Sequence, residues 1–338
     1  MKKNVESRIA GSPRGVETML DGPANVLKSL RKTQPPKGPF HLDDAAAYAA
    51  WREAKLAGYP TRSEDFVVEI EDLAAPTPAE REAVLRLSRA ANMALYATRA
   101  NLADERRTRR DLILFGRAFG LGAMEDHRSA EADGIVRIEV VDQGGRLGYI
   151  PYTDRPINWH TDGYYNFHCP ERAVRAMLLH CMRPAGEGGV NRLLDPEIVY
   201  VRLRDSDPGH IEALMHPEAM TIPASVEANG RARPENVGPV FYVDPRSGAL
   251  GMRYTARKRN VAWRDDPATR AAVAKLEAVL REEPLIVETR LEAGQGLICN
   301  NVLHDRTGFA PSNGAGRGRL LYRVRYADRI DAGGGFLS

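Results

Sequence analysis

The chain has 338 residues, 43% of them apolar, 28% charged and 7% aromatic, with a formal net charge of +3. This composition suits a soluble globular protein of one large domain or two small ones. No apolar run approaches the roughly 18 residues of a membrane span, and MKKNVESRIAGSPRG lacks the apolar stretch of a secretory signal. Cys169, Cys181 and Cys299 cannot all pair, so a disulfide scaffold is excluded and a reducing cytoplasm is expected. Residues 1–37 carry eight Lys or Arg against three Asp or Glu, which leaves the rest slightly acidic and argues against a nucleic-acid-binding surface.

In chain order, residues 1–37 read as a loosely ordered arm, either an oligomer (dimer) contact or a free tail. The run from Asp43 to Gly58 predicts a helix, and residues 66–70 (FVVEI) predict a strand. Thr77-Pro78-Ala79-Glu80 is a capping box that opens a helix expected to reach about Ala97. Another helix is expected around Arg109–Phe119, stopped by Gly120 and Gly122, and residues 134–142 are strand-like. Short strands then dominate: 173–182, 190–194, 238–244, 249–255, 285–291, 296–301 and 319–327, with a hairpin around Pro245–Gly248. Two helices interrupt them, after Asp195-Pro196 and Asp266-Pro267, where Asp can cap and Pro can take the first turn. No strong linker divides the chain, so 38–338 is expected to be a single domain. Helices first and strands later suggest a mainly β sandwich or barrel with flanking helices.

Residues two apart on an extended chain share a face, so His160 and Asp162 of Asn158-Trp159-His160-Thr161-Asp162-Gly163 can converge while Thr161 points away. They offer two corners of a 2-His-1-carboxylate triad, which suits Fe(II) and leaves coordination positions open. Taken alone, the pair also fits a surface strand end. A second histidine, His304, ends an apolar strand in Cys299–Phe309. Farther on, alternation puts Arg319, Leu321, Arg323 and Arg325 on one face and Leu320, Tyr322, Val324 and Tyr326 on the other. The arginine face could meet solvent; beside the upstream histidine, an anion-binding interior face is the better reading.

His160-Thr161-Asp162, the distant Leu303-His304-Asp305-Arg306-Thr307-Gly308-Phe309, and Arg319 fifteen residues after His304 resemble the taurine dioxygenase (TauD/TfdA) family. These are Fe(II)- and 2-oxoglutarate-dependent oxygenases, in the broader group of γ-butyrobetaine hydroxylase. The likeness runs from about 110 to 328, including LILFGRAFGLGAMEDH, and is loose over the first hundred residues. It implies a double-stranded β-helix (jelly-roll) core over about 134–328, with His160, Asp162 and His304 as iron ligands. Arg319 would pair with the distal carboxylate of 2-oxoglutarate, a task for a forked guanidinium. Gly188-Gly189-Val190-Asn191 resembles a Gly-Gly-X-Thr turn whose Thr bonds 2-oxoglutarate; here Asn191 would donate instead. Arg323 matches a position that contacts an anionic group of the substrate, against the alternative of a solvated strand residue. Tyr164, Tyr165 and Asn166 follow Asp162 and are expected near a small-molecule substrate. The carboxylate at Asp162 favours hydroxylation over halogenation, with O2 consumed and succinate and CO2 released.

Other constellations carry less. His168-Cys169 and His180-Cys181 could offer one residue each to a common site at most, because neighbours on a strand face opposite ways. The 142–148 glycines lack a phosphate-loop setting, and Gly144–Asn158 is either a closing segment or an ordinary connection. A cupin-like metal- or ligand-binding protein without redox turnover, and a zinc hydrolase, are the alternatives to a dioxygenase.

Overall fold

The computed structural model describes residues 38–99, 102–125, 129–141, 149–226, 232–257, 261–310 and 318–330. The N-terminal arm, the 142–148 glycine segment and the first part of Gly144–Asn158 lie outside the described residues. Along the chain come α1 (Ala45–Ala57), β1 (Val67–Ile70), α2 (Pro78–Ala91), β2 (Met93–Thr98), α3 (Glu105–Ala118), β3 (Val136–Glu139), β4 (Ile157–His160), β5 (Ala176–Arg183) and β6 (Asn191–Leu194). Then follow α4 (Pro196–Ser206), α5 (Pro208–Met215), α6 (Pro267–Glu282), β7 (Val287–Thr289), β8 (Gln295–Cys299), β9 (Leu303–Arg306) and β10 (Leu320–Tyr326). Shorter strands include the hairpin Phe241–Val243/Leu250–Met252, turned at Gly248 with φ +68°. Helices hold about as many described residues as strands, so the fold is mixed rather than mainly β.

Local chemistry sets the helix ends. Side chains of Asp44, Thr77, Asp104, Asp195, Asp207 and Asp266 accept first-turn amides, and four of the six helices have Asp before Pro or Thr before Pro at that point. The Thr77 helix does not reach Ala97. It stops at Asn92, which adopts the left-handed conformation (φ 57°), and Met93–Thr98 instead forms β2, paired on both sides by β1 and β8. Helix α3 begins one turn earlier than expected, at the Asp104 cap, and α5, capped by Asp207, is an additional helix.

Ten strands make two sheets, of order β1-β2-β8-β5-β10-β3 and β7-β6-β9-β4; only β1–β2 is parallel. One face of the larger sheet (Tyr96, Leu178, Ile298, Tyr322, Val324) packs on Val84 and Leu87 of α2 and Leu112 and Phe115 of α3. Its other face (Leu95, Met177, Leu179, Leu297, Leu321) shares a core with Leu193 and Leu303 of the smaller sheet and Ile198 and Leu203 of α4. Every residue of β10 is buried, because helices cover one side and the second sheet the other.

A polar tie beneath the smaller sheet joins distant segments. Lys55 Nζ of α1 lies 2.6 Å from both Asp195 Oδ2 and Glu197 Oε2. Asn92 Nδ2 donates to Asp195 Oδ1 (3.0 Å), and the amide of Asn300 donates to the Asn92 carbonyl (2.8 Å). This fixes the turn between β8 and β9, from which the site's most constrained asparagine projects. Among the described residues no helix is long and apolar enough to cross a membrane. Cys169, Cys181 and Cys299 are free thiols.

Candidate active site

His160 ends β4 and His304 lies in β9. They are direct register partners, with ring centroids 4.2 Å apart. Beyond His160, the Thr161 amide donates to the Tyr254 carbonyl (3.0 Å) and the Tyr254 amide to Thr161 Oγ1 (3.1 Å), which turns Thr161 away. Asp162 then returns to the side of the histidines. One ligand atom from each of His160, Asp162 and His304 lies within 4.8 Å of the others, the only such group of metal-ligating side chains among the described residues.

The donor set fits a divalent metal atom by atom. Nδ1 of His160 is 2.9 Å from the Asn158 carbonyl and Nδ1 of His304 is 2.9 Å from the Val302 carbonyl. A carbonyl can only accept, so Nδ1 carries the proton in each ring and Nε2 keeps its lone pair for an ion. Burial, followed by the neighbouring His304, pushes His160 down to about 3, so the ring is neutral at ordinary pH. Asp162 Oδ1 accepts from Arg323 Nη1 (3.1 Å) and Arg325 Nη1 (3.4 Å), while Oδ2 is buried with no hydrogen-bond partner. Burial alone would raise the Asp162 carboxyl; Arg323 and Arg325 outweigh it and hold the group well below the usual carboxylate range. An ionised oxygen without a partner, next to two imidazole lone pairs, is what one-point carboxylate ligation needs.

The backbone at Asp162 is equally constrained. Its amide donates to Asn301 Oδ1 (2.8 Å), and Asn301 Nδ2 donates back to the Asp162 carbonyl (3.0 Å) and to Val174 (2.7 Å). Gly163 follows with φ +75°, where a Cβ would sit 2.6 Å from Val174 Cγ2.

Between the sheets, a cavity of about 260 Å³ is lined by His304, Asn191, Thr289, Leu95, Met177, Leu179, Leu193, Leu291 and Leu297. Asn191 Nδ2 is buried there without a partner, and Thr289 is its register partner on β7. Arg319, immediately before β10, is buried with its guanidinium 5.0 Å from the Phe309 ring; no carboxylate pairs with it among the described residues. Burial lowers it to about 10, so it keeps its charge. Arg306, 4.8 Å from the same ring, is drawn to about 9 by burial and then by Arg319. A larger cavity of about 430 Å³ lies beyond Asn301, against Asn92, Arg175 and Arg329, away from the histidines.

Arg323 is buried rather than solvated, through its pairing with Asp162. Tyr164 stands edge-on to His160 at 6.3 Å and to Tyr165 at 5.3 Å. Its carbonyl accepts from Arg253 Nε (2.8 Å), a buried guanidinium spent on backbone carbonyls and Asn236. The Tyr165 hydroxyl accepts from Arg325 at 3.3 and 3.4 Å, and Asn166 Nδ2 donates to Glu125 Oε1 (2.8 Å). Glu125 Oε2 in turn pairs with Arg325. Sequence reasoning assigned no role to Glu125, Thr289, Asn301, Arg306 or Arg325. Arg325 was visible on the arginine face and Arg306 in the quoted motif; the others meet the site only through tertiary pairing. His180 faces Tyr96 (3.1 Å to its hydroxyl), and Cys181 packs in the opposite core, so they share no site.

The sequence profile described as "Taurine catabolism dioxygenase TauD, TfdA family" matches residues 72–325. The chain belongs to the TauD/TfdA family. Two relatives are a uridine-5'-phosphate dioxygenase from a Streptomyces species, 30% identical over 193 residues, and one from an Amycolatopsis species, 29% identical over 180. The matches cover 54% and 50% of this chain but only 66% and 60% of those proteins. In fold, this TauD/TfdA member is similar to an asparagine oxygenase solved with Fe(II), hydroxyasparagine and succinate. That likeness has a TM-score of 0.53 and 18% identity, covering 91% of this chain and 92% of that one. It is also similar to the non-heme iron oxygenase OrfP solved with Fe, succinate and dihydroxyarginine, at TM-score 0.55 and 17% identity, covering 76% and 83%.

Proposed function

We propose that the protein is an Fe(II)- and 2-oxoglutarate-dependent dioxygenase that hydroxylates a C–H bond of a small anionic molecule. The observation that carries this reading is the unpartnered, ionised Asp162 Oδ2 facing two histidines whose Nδ1 protons are already committed. The chemistry such a centre supplies, when loaded, is the coupled conversion of 2-oxoglutarate, dioxygen and a C–H bond into succinate, carbon dioxide and an alcohol.

The chain's residues would do the rest. Nε2 of His160 and His304 and Oδ2 of Asp162 would hold the ion on one side, leaving the opposite side open. Asn191 would donate its free amide hydrogen to a 2-oxoglutarate carboxylate in the cavity beside His304, and Arg319 would fork onto the distal carboxylate. The apolar walls of that cavity would limit water around the Asn191 contact and so strengthen it. Arg323, Tyr164, Tyr165 and Asn166 would face the substrate. The named relatives act on uridine-5'-phosphate, and we take a nucleoside 5'-phosphate as the first candidate here.

In this reading the two sheets are the walls of a double-stranded β-helix, a proposal supported by likeness to solved iron oxygenases. The described residues from 38 to 330 are taken as one domain, and three free thiols suit a cytoplasmic setting. The test is anaerobic addition of Fe(II) and 2-oxoglutarate. A visible charge-transfer band is expected in the wild type and not in His160→Ala or Asp162→Ala, with substrate-stimulated succinate formation in air. A wild type that binds metal but shows neither band nor succinate is a cupin-like binding protein instead.

A further inference from the structure

We propose that Arg325, together with Arg323, receives a dianionic phosphomonoester group of the substrate, and that Glu125 is the positioning residue that sets Arg325. The proposal rests on the dioxygenase reading above and adds to it the place of the phosphate group and the roles of Arg325 and Glu125.

Two independent observations support it. The first is donor supply. Arg323 and Arg325 are both buried, yet the Nε of each has no hydrogen-bond acceptor. Their contacts with Asp162 use Nη1; Arg325 also engages Tyr165 through both Nη groups and Glu125 through Nη2, which leaves its Nε to place. The Tyr165 hydroxyl accepts from Arg325, and its own proton has no acceptor among the described residues. Buried donors in this number call for an oxygen-rich ligand. The second is charge. Leaving aside Arg253, which lies behind Tyr164, the buried arginines at the site among the described residues are Arg306, Arg319, Arg323 and Arg325, and the acids against them are Asp162 and Glu125. Asp154, the next acid near Arg306, is exposed. A ferrous ion and 2-oxoglutarate cancel each other's charge, so two positive charges stay uncompensated. A phosphomonoester carries close to two negative charges at neutral pH. An amino-acid zwitterion carries none.

Glu125 does not touch the proposed group. It pairs with Arg325 through Oε2 and accepts from Asn166 through Oε1, which locks the guanidinium to the segment that follows Asp162. It therefore acts through Arg325.

The experiment is calorimetry on the anaerobic Fe(II)–2-oxoglutarate protein with uridine-5'-phosphate, its monoanionic methyl ester, uridine and asparagine. Uridine-5'-phosphate is expected to bind tightest, with the methyl ester and uridine each weaker by about tenfold or more. Arg325→Gln is expected to weaken uridine-5'-phosphate by about 30-fold or more relative to uridine, both titrated on protein whose charge-transfer band shows it loaded with Fe(II) and 2-oxoglutarate. Arg325→Lys, which keeps the charge and guards against misfolding of the first variant, should lose about tenfold. Glu125→Gln should weaken uridine-5'-phosphate but not uridine. Equal binding of ester and monoester, preference for asparagine, no binding of any of the four, or an unchanged affinity in both Arg325 variants would overturn the proposal. Loss of the band in the wild type would instead sink the dioxygenase reading beneath it.

Discussion

Asn301 and Asp162 hold each other by a reciprocal pair of hydrogen bonds, amide to Oδ1 at 2.8 Å and Nδ2 to carbonyl at 3.0 Å. The carboxylate is thereby fixed from behind, through its backbone, while two arginines fix it from the side. Asn301 itself sits at φ 49°, a conformation that asparagine tolerates better than most side chains.

Asn301→Ala therefore removes three hydrogen bonds and strains the turn. We expect about 2–4 kcal/mol of lost stability and a metal affinity roughly 10–100-fold lower, read by chemical denaturation and by Co(II) titration. An unaltered Co(II) affinity would show that Asp162 is positioned by its arginines alone.

Arg319→Lys keeps a positive charge beside the Phe309 ring but loses the fork. The affinity for 2-oxoglutarate should fall roughly 10–100-fold while Fe(II) binding stays the same. Anaerobic titration of the charge-transfer band separates the two; parallel losses would argue that Arg319 supports the fold instead.

His180 is fully buried, and desolvation pushes it down to about 4. In the unfolded chain the ring takes a proton near pH 6.5, which the folded chain refuses. Stability is then level above pH 6.5 and falls as pH drops toward 4, by up to about 1.4 kcal/mol per pH unit. His160, held at about 3, adds the same sign in the metal-free protein. Thermal melts from pH 7 to 5 should show His180→Gln with a shallower decline than the wild type; identical slopes would clear His180.

Lys55→Met leaves Asp195 and Glu197 facing each other in the interior. Removing one member of a buried ionic group costs about 3–5 kcal/mol, and urea midpoints report it. A loss under about 1 kcal/mol would mean that water has taken the ammonium's place.

Much of this arrangement is legible in the chain. Alternation along Arg319–Tyr326 separates the arginine face from the aromatic one, and Asp-Pro marks the start of α4 and α6. The same Asp-Pro signal at Asp207-Pro208 begins α5, a helix that sequence reasoning does not single out. Met93–Thr98 is rich in helix formers, so propensity extends α2 through it; pairing with strands on both sides overrides that preference. The left-handed Asn92 was the available stop signal. Glu125 could not be found from the chain alone, since its partner Arg325 comes from a strand far along the sequence. Thr289 likewise meets Asn191 only because β6 and β7 pair.

Strand β10 has no idle side: its odd-numbered positions deliver Leu321 and the guanidiniums of Arg323 and Arg325 inward, and its even-numbered ones wedge tyrosines and Val324 under the helices. Sliding it by one residue would put Tyr322 beside the histidines and drive charges into an oily layer. Relatives with new specificities should therefore exchange residues on this strand one for one, with gains or losses of chain length halted before Arg319.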